Sequence, residues 1–164
     1  YAEGVRIVYF DQHRETLPDH FTLKQCLAPN GDMVEYRGKM IHVNGWAKRF
    51  HFGQERMLMP ASQLSGGERA RILLARLMLR PADILLLDEP TNDLDIETLE
   101  VLEESLMDFP GAVVLISHNL NDVFEVADRI HIQRLGRRAA VIRPGEYTMP
   151  QAVAIMTGAA AADV

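Results

Sequence analysis

The stretch Ile84-Leu85-Leu86-Leu87-Asp88-Glu89-Pro90 decides the fold class of this 164-residue chain. Its four apolar residues predict a short strand buried on both faces, which is typical of a parallel sheet. The carboxyl ends of parallel strands meet at one edge, and ligands bind in the crevice outside that edge. Asp88 and Glu89 therefore become candidate site residues. The alternative, that they are solvated loop carboxylates, is disfavoured because a buried strand leads directly into them.

The two carboxylates suit different tasks. Asp88 is a candidate Mg²⁺ ligand, mainly through water, because that ion keeps part of its hydration shell. Glu89 is a candidate to orient or deprotonate an attacking water molecule.

Strand and helix patterns alternate around this stretch. The helix at 68–80 is predicted to be apolar except for Arg69, Arg76 and Arg80, and Ala112–Ser117 is predicted to be a second buried strand. The alternation predicts an α/β fold with a parallel sheet and packed helices. The remaining predicted strands are 5–10, 34–36, 40–43, 129–135 and 139–143, and the remaining helices are 22–27, Gly45 through Phe52, 98–109, 120–127 and 148–156.

A second candidate site is Leu64-Ser65-Gly66-Gly67-Glu68, where a predicted helix begins. The start of a helix offers unpaired N–H groups and the positive end of a dipole. Glycines let a phosphate approach the backbone, and Ser65 adds a hydroxyl donor. For this stretch alone a plainer alternative stays open, in which Ser65 is only a helix cap and the glycines only a turn.

A third candidate is His118, which follows the predicted strand ending near Ser117. A histidine at that edge falls in the same crevice as Asp88, where its imidazole could hydrogen-bond a γ-phosphate. The other histidines have no such context and no spacing typical of metal ligands, so no zinc site is predicted. They are His13, His20, His42, His51 and His131.

In this order and spacing, these stretches resemble the ATP-binding-cassette (ABC) family. The resemblance implies a P-loop NTPase-like α/β fold with a small helical subdomain, with ATP and Mg²⁺ as cofactors. Leu64 to Glu68 is similar to the family signature, and Ile84 to Asp88 to its Walker B strand. The resemblance implies nucleotide binding by Ser65, Gly66, Gly67, Glu68, Asp95 and Gln12.

The same resemblance implies further roles. Glu89 is similar to the catalytic carboxylate and His118 to the switch histidine, which makes both catalytic candidates. Asn92-Asp93-Leu94-Asp95 is similar to the D-loop. Gln12 is similar to the Q-loop glutamine that helps sense Mg²⁺ and the γ-phosphate, so that Mg²⁺ would be held by Asp88 and Gln12, mainly via water.

Within the family, the chain resembles the ABC-F proteins, soluble tandem-cassette factors that act on the ribosome. That resemblance rests on Asp88 to Asp95, on Tyr9 to His13 and on residues 31–52. After His118 the pattern changes, and residues 119–129 and 134–138 resemble the ATPase subunit of a monosaccharide importer. We therefore expect a hybrid joined near Ile116 to His118, whether natural or engineered.

A phosphate-binding P-loop, Gly-x-x-x-x-Gly-Lys-Ser/Thr, does not occur in these residues. The Gly38-Lys39 pair is followed by Met40. The family places this loop upstream of the Q-loop, so we expect a single partial ABC domain lacking the P-loop strand and helix. Residues 13–80 would form a helical lobe containing the signature, 1–12 and 81–158 the catalytic core, and 159–164 a tail. The expected partner is a P-loop-bearing cassette half or second cassette, and we predict negligible turnover without it.

The composition limits the functions and the cellular compartment that the sequence favours. The net charge of -6 argues against non-specific nucleic-acid binding by this region. A single cysteine, Cys26, excludes an internal disulfide and favours the cytoplasm, and we expect it to be a small buried apolar group. No apolar run is long enough to cross a bilayer.

Three hypotheses remain open at this stage. The first is the catalytic half of a soluble ABC-F-like ATPase, with the ribosome or tRNA as a possible partner of its parent. The second is the energy-coupling ATPase of a sugar importer, which needs a membrane permease. The third is a non-enzymatic interaction module, such as a chimeric fold fragment.

Overall fold

The structure is a computed structural model that describes residues 4–10, 16–92 and 94–160. It divides into two compact units, Tyr1–Ile116 and Ser117–Val164. The boundary falls where the sequence predicts a change of resemblance. The proposed division into a helical lobe, a catalytic core and a tail stays a prediction.

The first unit contains a parallel sheet of three strands in the order β1-β4-β5. These are β1 (Ile7–Phe10), β4 (Ile84–Asp88) and β5 (Ala112–Ile116). The central strand is the apolar run Ile84 to Leu87, and Leu85 and Leu87 on it are almost fully buried. This confirms the predicted α/β class with a parallel sheet.

Asp83 ties the amino ends of the three strands together. Its carboxylate accepts hydrogen bonds from the backbone N–H and the guanidinium of Arg6, with Oδ2 at 2.8 Å from the Arg6 nitrogen. Its own backbone N–H donates to the carbonyl of Arg6, and its carbonyl accepts from Ala112 at 3.0 Å. The bonds from Arg6 lower the pKa of Asp83 to about 2.

Helices pack against the sheet and form the rest of the first unit. Short elements come first: α1 (Leu23–Leu27), the antiparallel pair β2 (Met33–Tyr36) and β3 (Lys39–His42), and α2 (Val43–Lys48). Two 3-10 turns, Gln54–Arg56 and Ala61–Gln63, lead into the long helices α3 (Gly66–Leu79) and α4 (Ile96–Met107). Their apolar faces share one core with β4, and Trp46 within it donates to the carbonyl of Ala75.

Two predictions in this unit were wrong in detail. The strand β5 is not buried on both faces, because Val114 and Ile116 lie on the same face of the strand and are 48% and 53% exposed, whereas Val113 and Leu115 on the other face are half-buried. The helix expected after Gly45 begins earlier, at Val43, because the His42 side chain accepts the N–H of Asn44 at its start. That helix also ends before Phe50.

The second unit is built from β6 (Ile130–Arg134) and β7 (Arg137–Ile142), an antiparallel pair, with helices α5 (Leu120–Val126) and α6 (Met149–Thr157). Its small core is formed by Ile130, Ile132, Ala140, Ile142, Ala152 and Ile155. The Gln151 side chain accepts the backbone N–H and the hydroxyl of Thr148 at the start of α6, and Pro150 lies in the first turn.

Cys26 is 6% exposed, which confirms the expected buried thiol, and burial raises its pKa. The longest helix that the structure describes, α3, has 14 residues. None of the helices in the described part of the chain has the length and apolar character needed to cross a membrane.

Candidate functional site

Asp88 and Glu89 lie where the sequence predicts them, at the carboxyl end of the central strand β4. Asp88 is the last residue of β4 and pairs in register with Ile116 of β5. The backbone N–H of Glu89 then donates to the carbonyl of Ile116 at 2.8 Å, which extends the ladder by one bond. Both side chains are half-buried.

Glu89 has a left-handed backbone, with φ of +47°. This conformation brings an L-residue's Cβ close to the backbone and costs about 1–2 kcal/mol. Residues held in such sparsely populated conformations cluster at functional sites. Pro90, which follows, is almost fully buried and fixes the turn after the carboxylates.

Asp88 has a hydrogen-bond partner on the neighbouring strand. The hydroxyl of Tyr9, in β1, donates to Oδ2 of Asp88 at 2.9 Å. Such a contact fixes the orientation of a carboxylate while leaving its other oxygen for a ligand. Sequence analysis did not assign Tyr9 to the site. The signal that could have found it is its parallel strand placement, since β1 and β4 run side by side and end at the same edge.

The second candidate stretch begins helix α3 with a capping box. Oγ of Ser65 accepts the backbone N–H of Glu68 at 3.2 Å, and Glu68 accepts the N–H of Ser65 at 2.9 Å. Glu68 also pairs with Arg56. Burial raises the pKa of Glu68, but the hydrogen bonds from Ser65 and Arg56 outweigh it and leave that pKa below its usual value.

This capping box agrees with the plain interpretation of Ser65 and leaves room for the functional one. Accepting a bond does not use the hydroxyl hydrogen, which can still donate to a phosphate. Both carboxylate oxygens of Glu68 are engaged, one by Arg56 and one by Ser65. The expectation that Glu68 binds nucleotide stays a prediction.

The two glycines of this stretch have different surroundings. A Cβ at Gly66 would meet nothing within 4 Å, so this glycine borders open space. A Cβ at Gly67 would collide with the carboxylate of Asp95 and lie 3.2 Å from Oγ1 of Thr98. Of the two glycines, only Gly66 therefore leaves open space through which a ligand could approach the backbone. At Gly67 the missing side chain instead makes room for the start of α4.

Asp95, predicted to bind nucleotide, is the N-cap of α4. Its Oδ1 accepts the backbone N–H of Thr98 at 2.8 Å, so the helix begins at Ile96, two residues before the predicted start. Hydrogen bonds from the Thr98 side chain and backbone lower the pKa of Asp95, and the charge of Arg71 adds to them.

Arg71 is a site neighbour that sequence analysis overlooked. The helix around it was predicted to be apolar except for Arg69, Arg76 and Arg80, and this was wrong at one position. Arg71 is 5% exposed and pairs with Glu97 at the start of α4. Asp95, the last residue of the predicted D-loop, and Glu97, two residues further on, were the signal that could have suggested its partner.

The contacts described above do not place three residues of the predicted motifs relative to Asp88 and Glu89. Gln12 and Asp93 lie outside the described residues. His118 belongs to the second unit, two residues after the end of β5. Its role beside Asp88 and Glu89 stays a prediction.

Metal binding can be judged from the donor set. Among residues 4–10, 16–92 and 94–160, no three His, Cys, Asp or Glu side chains lie close enough to hold a metal ion by themselves. Mg²⁺ does not need such a group, because it is usually bound by one or two carboxylates together with waters and substrate phosphates. A single oriented carboxylate at Asp88 fits this ion.

The fold and these motifs define the class of protein. The family model described as ABC transporter matches residues 2–92, which include the Leu64 to Glu68 stretch and the strand that ends at Asp88. The chain belongs to this family of ATP-binding-cassette domains, which generally bind ATP with Mg²⁺.

Individual relatives come from two groups. The ATP-binding protein Uup of Caulobacter vibrioides is 41% identical over 88% of this chain and 24% of its own length. The energy-dependent translational throttle protein EttA of Haemophilus influenzae is 38% identical over 72% of this chain and 21% of its own. The fructose import ATP-binding protein FrcA of Rhizobium meliloti is 48% identical over 58% of this chain and 38% of its own.

These relatives confirm the predicted resemblance to ABC-F proteins and to a sugar-importer ATPase. The chain spans only 24% of the length of the Caulobacter protein and 18% of that of Uup from Escherichia coli. The activities of these whole proteins are therefore only proposed for this chain.

Proposed function

We propose that the chain is the signature-and-Walker-B half of a cassette whose parent binds and hydrolyses MgATP. The observation that carries this proposal is the placement of Asp88 and Glu89 at the carboxyl end of β4, with Glu89 held in a left-handed conformation. Strain of this kind is kept where the surrounding structure needs a side chain in one place.

Each residue has a task in this proposal. Asp88, oriented by Tyr9, holds Mg²⁺ mainly through water, and the ion supplies positive charge that offsets the charge of the phosphates. Glu89 orients and polarises the attacking water. His118 and Gln12 sense the γ-phosphate, the roles that the family resemblance implies for them.

The other half of the proposed site faces a partner. Ser65 and the backbone at Gly66 and Gly67 contact the γ-phosphate of ATP that is held by the P-loop of a second cassette. A free N–H and a hydroxyl at the start of α3 are suited to an anion. The sequence contains no P-loop of its own, so we expect negligible turnover by these 164 residues alone.

Substitution of Glu89 tests the chemistry. Combined with the missing P-loop half of its own cassette, Glu89→Gln should retain ATP while hydrolysis falls about a hundredfold or more, because the amide cannot accept a proton. Glu35→Gln, at an exposed carboxylate on β2, is the matched control and should hydrolyse ATP like the unmodified chain. Normal hydrolysis by Glu89→Gln would remove Glu89 from its role.

We further propose that the parent is a cytoplasmic ABC-F-like ATPase acting on the ribosome. The similarity to Uup and to a protein named as a translational throttle supports this. The 48% identity to the fructose import protein favours a second candidate, the energy-coupling subunit of a sugar importer. Co-sedimentation with ribosomes would support the first proposal, and co-purification with a permease would support the second.

A further inference from the structure

Arg71 is a buried charge on α3, with 6% of its side chain exposed. Nη1 of the guanidinium lies 3.0 Å from Oε2 of Glu97 and 4.0 Å from Oδ1 of Asp95. The guanidinium stacks over the Phe52 ring, 5.4 Å from its centroid. Burying an ion this far is expensive unless it is paired, so these contacts explain how the charge is tolerated.

Stability alone does not explain why the charge is there. Glu97 and Asp95 are half-exposed, so their charges offset only part of the cost of burying Arg71, and an apolar side chain of similar volume would avoid that cost. The Nε of Arg71 is moreover buried without a hydrogen-bond partner among the described residues, although such groups are normally satisfied. A position selected only for packing would hold an apolar side chain here.

Both carboxylate partners of Arg71 lie at the start of α4. Glu97 lies in the first turn of that helix, and Asp95 is its N-cap. The Asp95 carboxylate fills the space beside Gly67, and the Thr98 hydroxyl donates to the carbonyl of Gly67 at 3.4 Å. The first turn of α4 therefore rests directly on the first turn of α3, and Arg71 holds the two together one helical turn further along.

We propose that Arg71 is a positioning residue that locks the first turn of α4 to the first turn of α3, so that Ser65–Gly67 and Asp95 move as one rigid piece. The lock is a property of the chain's own packing and does not depend on the proposed function. In a working cassette, a displacement of the first turn of α3 would therefore also move Asp95 and the start of α4, which follow Asp88 and Glu89 in the chain.

Native-state hydrogen exchange on the intact 164-residue chain tests the lock. Four amides report on the two turns: Glu68 and Arg69 in α3, and Thr98 and Leu99 in α4, each with a hydrogen-bond acceptor in the cap. In Arg71→Met, which keeps an unbranched apolar side chain and removes the charge, all four should exchange about tenfold faster or more. Arg71→Lys keeps the positive charge without the guanidinium fork, so it should recover part of the exchange protection lost in Arg71→Met.

Arg69→Met is the matched control. This arginine lies on the same helix but forms a surface pair with Asp19, 2.8 Å away, so its loss should leave the amides of Glu68, Thr98 and Leu99 unchanged. Amides of the β2–β3 pair should also keep their protection in Arg71→Met. Unchanged exchange at the four amides would overturn the proposal, and so would acceleration spread evenly over the first unit, which signals only lower global stability.

Glu97→Gln provides a second variant if Arg71→Met does not fold. It removes the carboxylate that pairs with Arg71 but leaves the arginine in place. The same four amides should loosen if the pair is the lock. Protection equal to that of the unmodified chain in Glu97→Gln would refute the proposal.

Discussion

At the scale of single residues, the two neighbouring glycines at the start of α3 differ in what surrounds them. Gly66 borders open space, whereas the carboxylate of Asp95 occupies the position of a side chain at Gly67. The sequence predicted one shared role for both, the close approach of a phosphate. It could not separate them, because the neighbour of Gly67 is Asp95, which is distant along the chain.

This difference predicts opposite effects of the same substitution. Gly67→Ala forces the Asp95 carboxylate aside and should lower the free energy of unfolding by about 1–3 kcal/mol. Gly66→Ala should leave it unchanged or raise it by up to about 1 kcal/mol, because alanine restricts the unfolded chain. Urea denaturation of both variants measures the difference. Equal effects would contradict the packing described here.

The left-handed backbone of Glu89 gives a second prediction at this scale. Glu89→Gly and Glu89→Gln both remove the carboxylate, but only glycine adopts this conformation without strain. The glycine variant should be more stable than the glutamine variant by about 1 kcal/mol. At Glu35, in an extended strand, the order should reverse. A glutamine variant as stable as the glycine variant would mean that the turn carries no strain.

At the scale of secondary-structure elements, the sequence predicted what local patterns decide. The strand β4 and the helix α3 were predicted to within two residues at each end, because a continuous apolar run marks the strand, and Ser65 with two glycines marks the start of the helix. The exposed face of β5 was missed, since burial of an apolar strand depends on what packs against each face of the sheet. The early start of α2 was missed because a histidine cap is an uncommon signal.

The contact between the amino ends of β1 and β4 predicts a response to acid. Arg6 lowers the pKa of Asp83 from its ordinary 3.8 to about 2, so the contribution of this pair is fully present above pH 4. It is lost as the pH falls from about 4 to about 2, when the folded carboxylate takes up a proton. The difference in stability between the unmodified chain and Asp83→Asn should therefore shrink over that range in urea titrations. A difference as large at pH 2 as at pH 4 would contradict this assignment.

At the scale of the whole molecule, the candidate site was predictable only in part. Asp88 and Glu89 follow from a local pattern, and the structure shows them at the edge of the sheet that the pattern implies. Tyr9 and Arg71 were missed because their partners, Asp88 and Glu97, are far away in the chain or in the next helix. Local periodicity carries no information about such pairs.

The chain also divides into two units between Ile116 and Ser117, close to the predicted junction between two kinds of family resemblance. The relatives include both Uup proteins and a fructose import protein, as that prediction requires. The junction itself stays a prediction. Separate searches with the residues on either side of it would test whether each half favours a different group.

The central claim is that these residues form half of a nucleotide site and depend on a P-loop from a partner. Titration calorimetry of the 164-residue chain with MgATP tests it most directly. We predict no detectable heat for the chain alone. In a mixture with a P-loop-bearing cassette half, we predict MgATP binding that exceeds the binding by that half alone. One-to-one binding of MgATP by the chain alone would contradict the account, because the nucleotide would then be held without the partner that it requires.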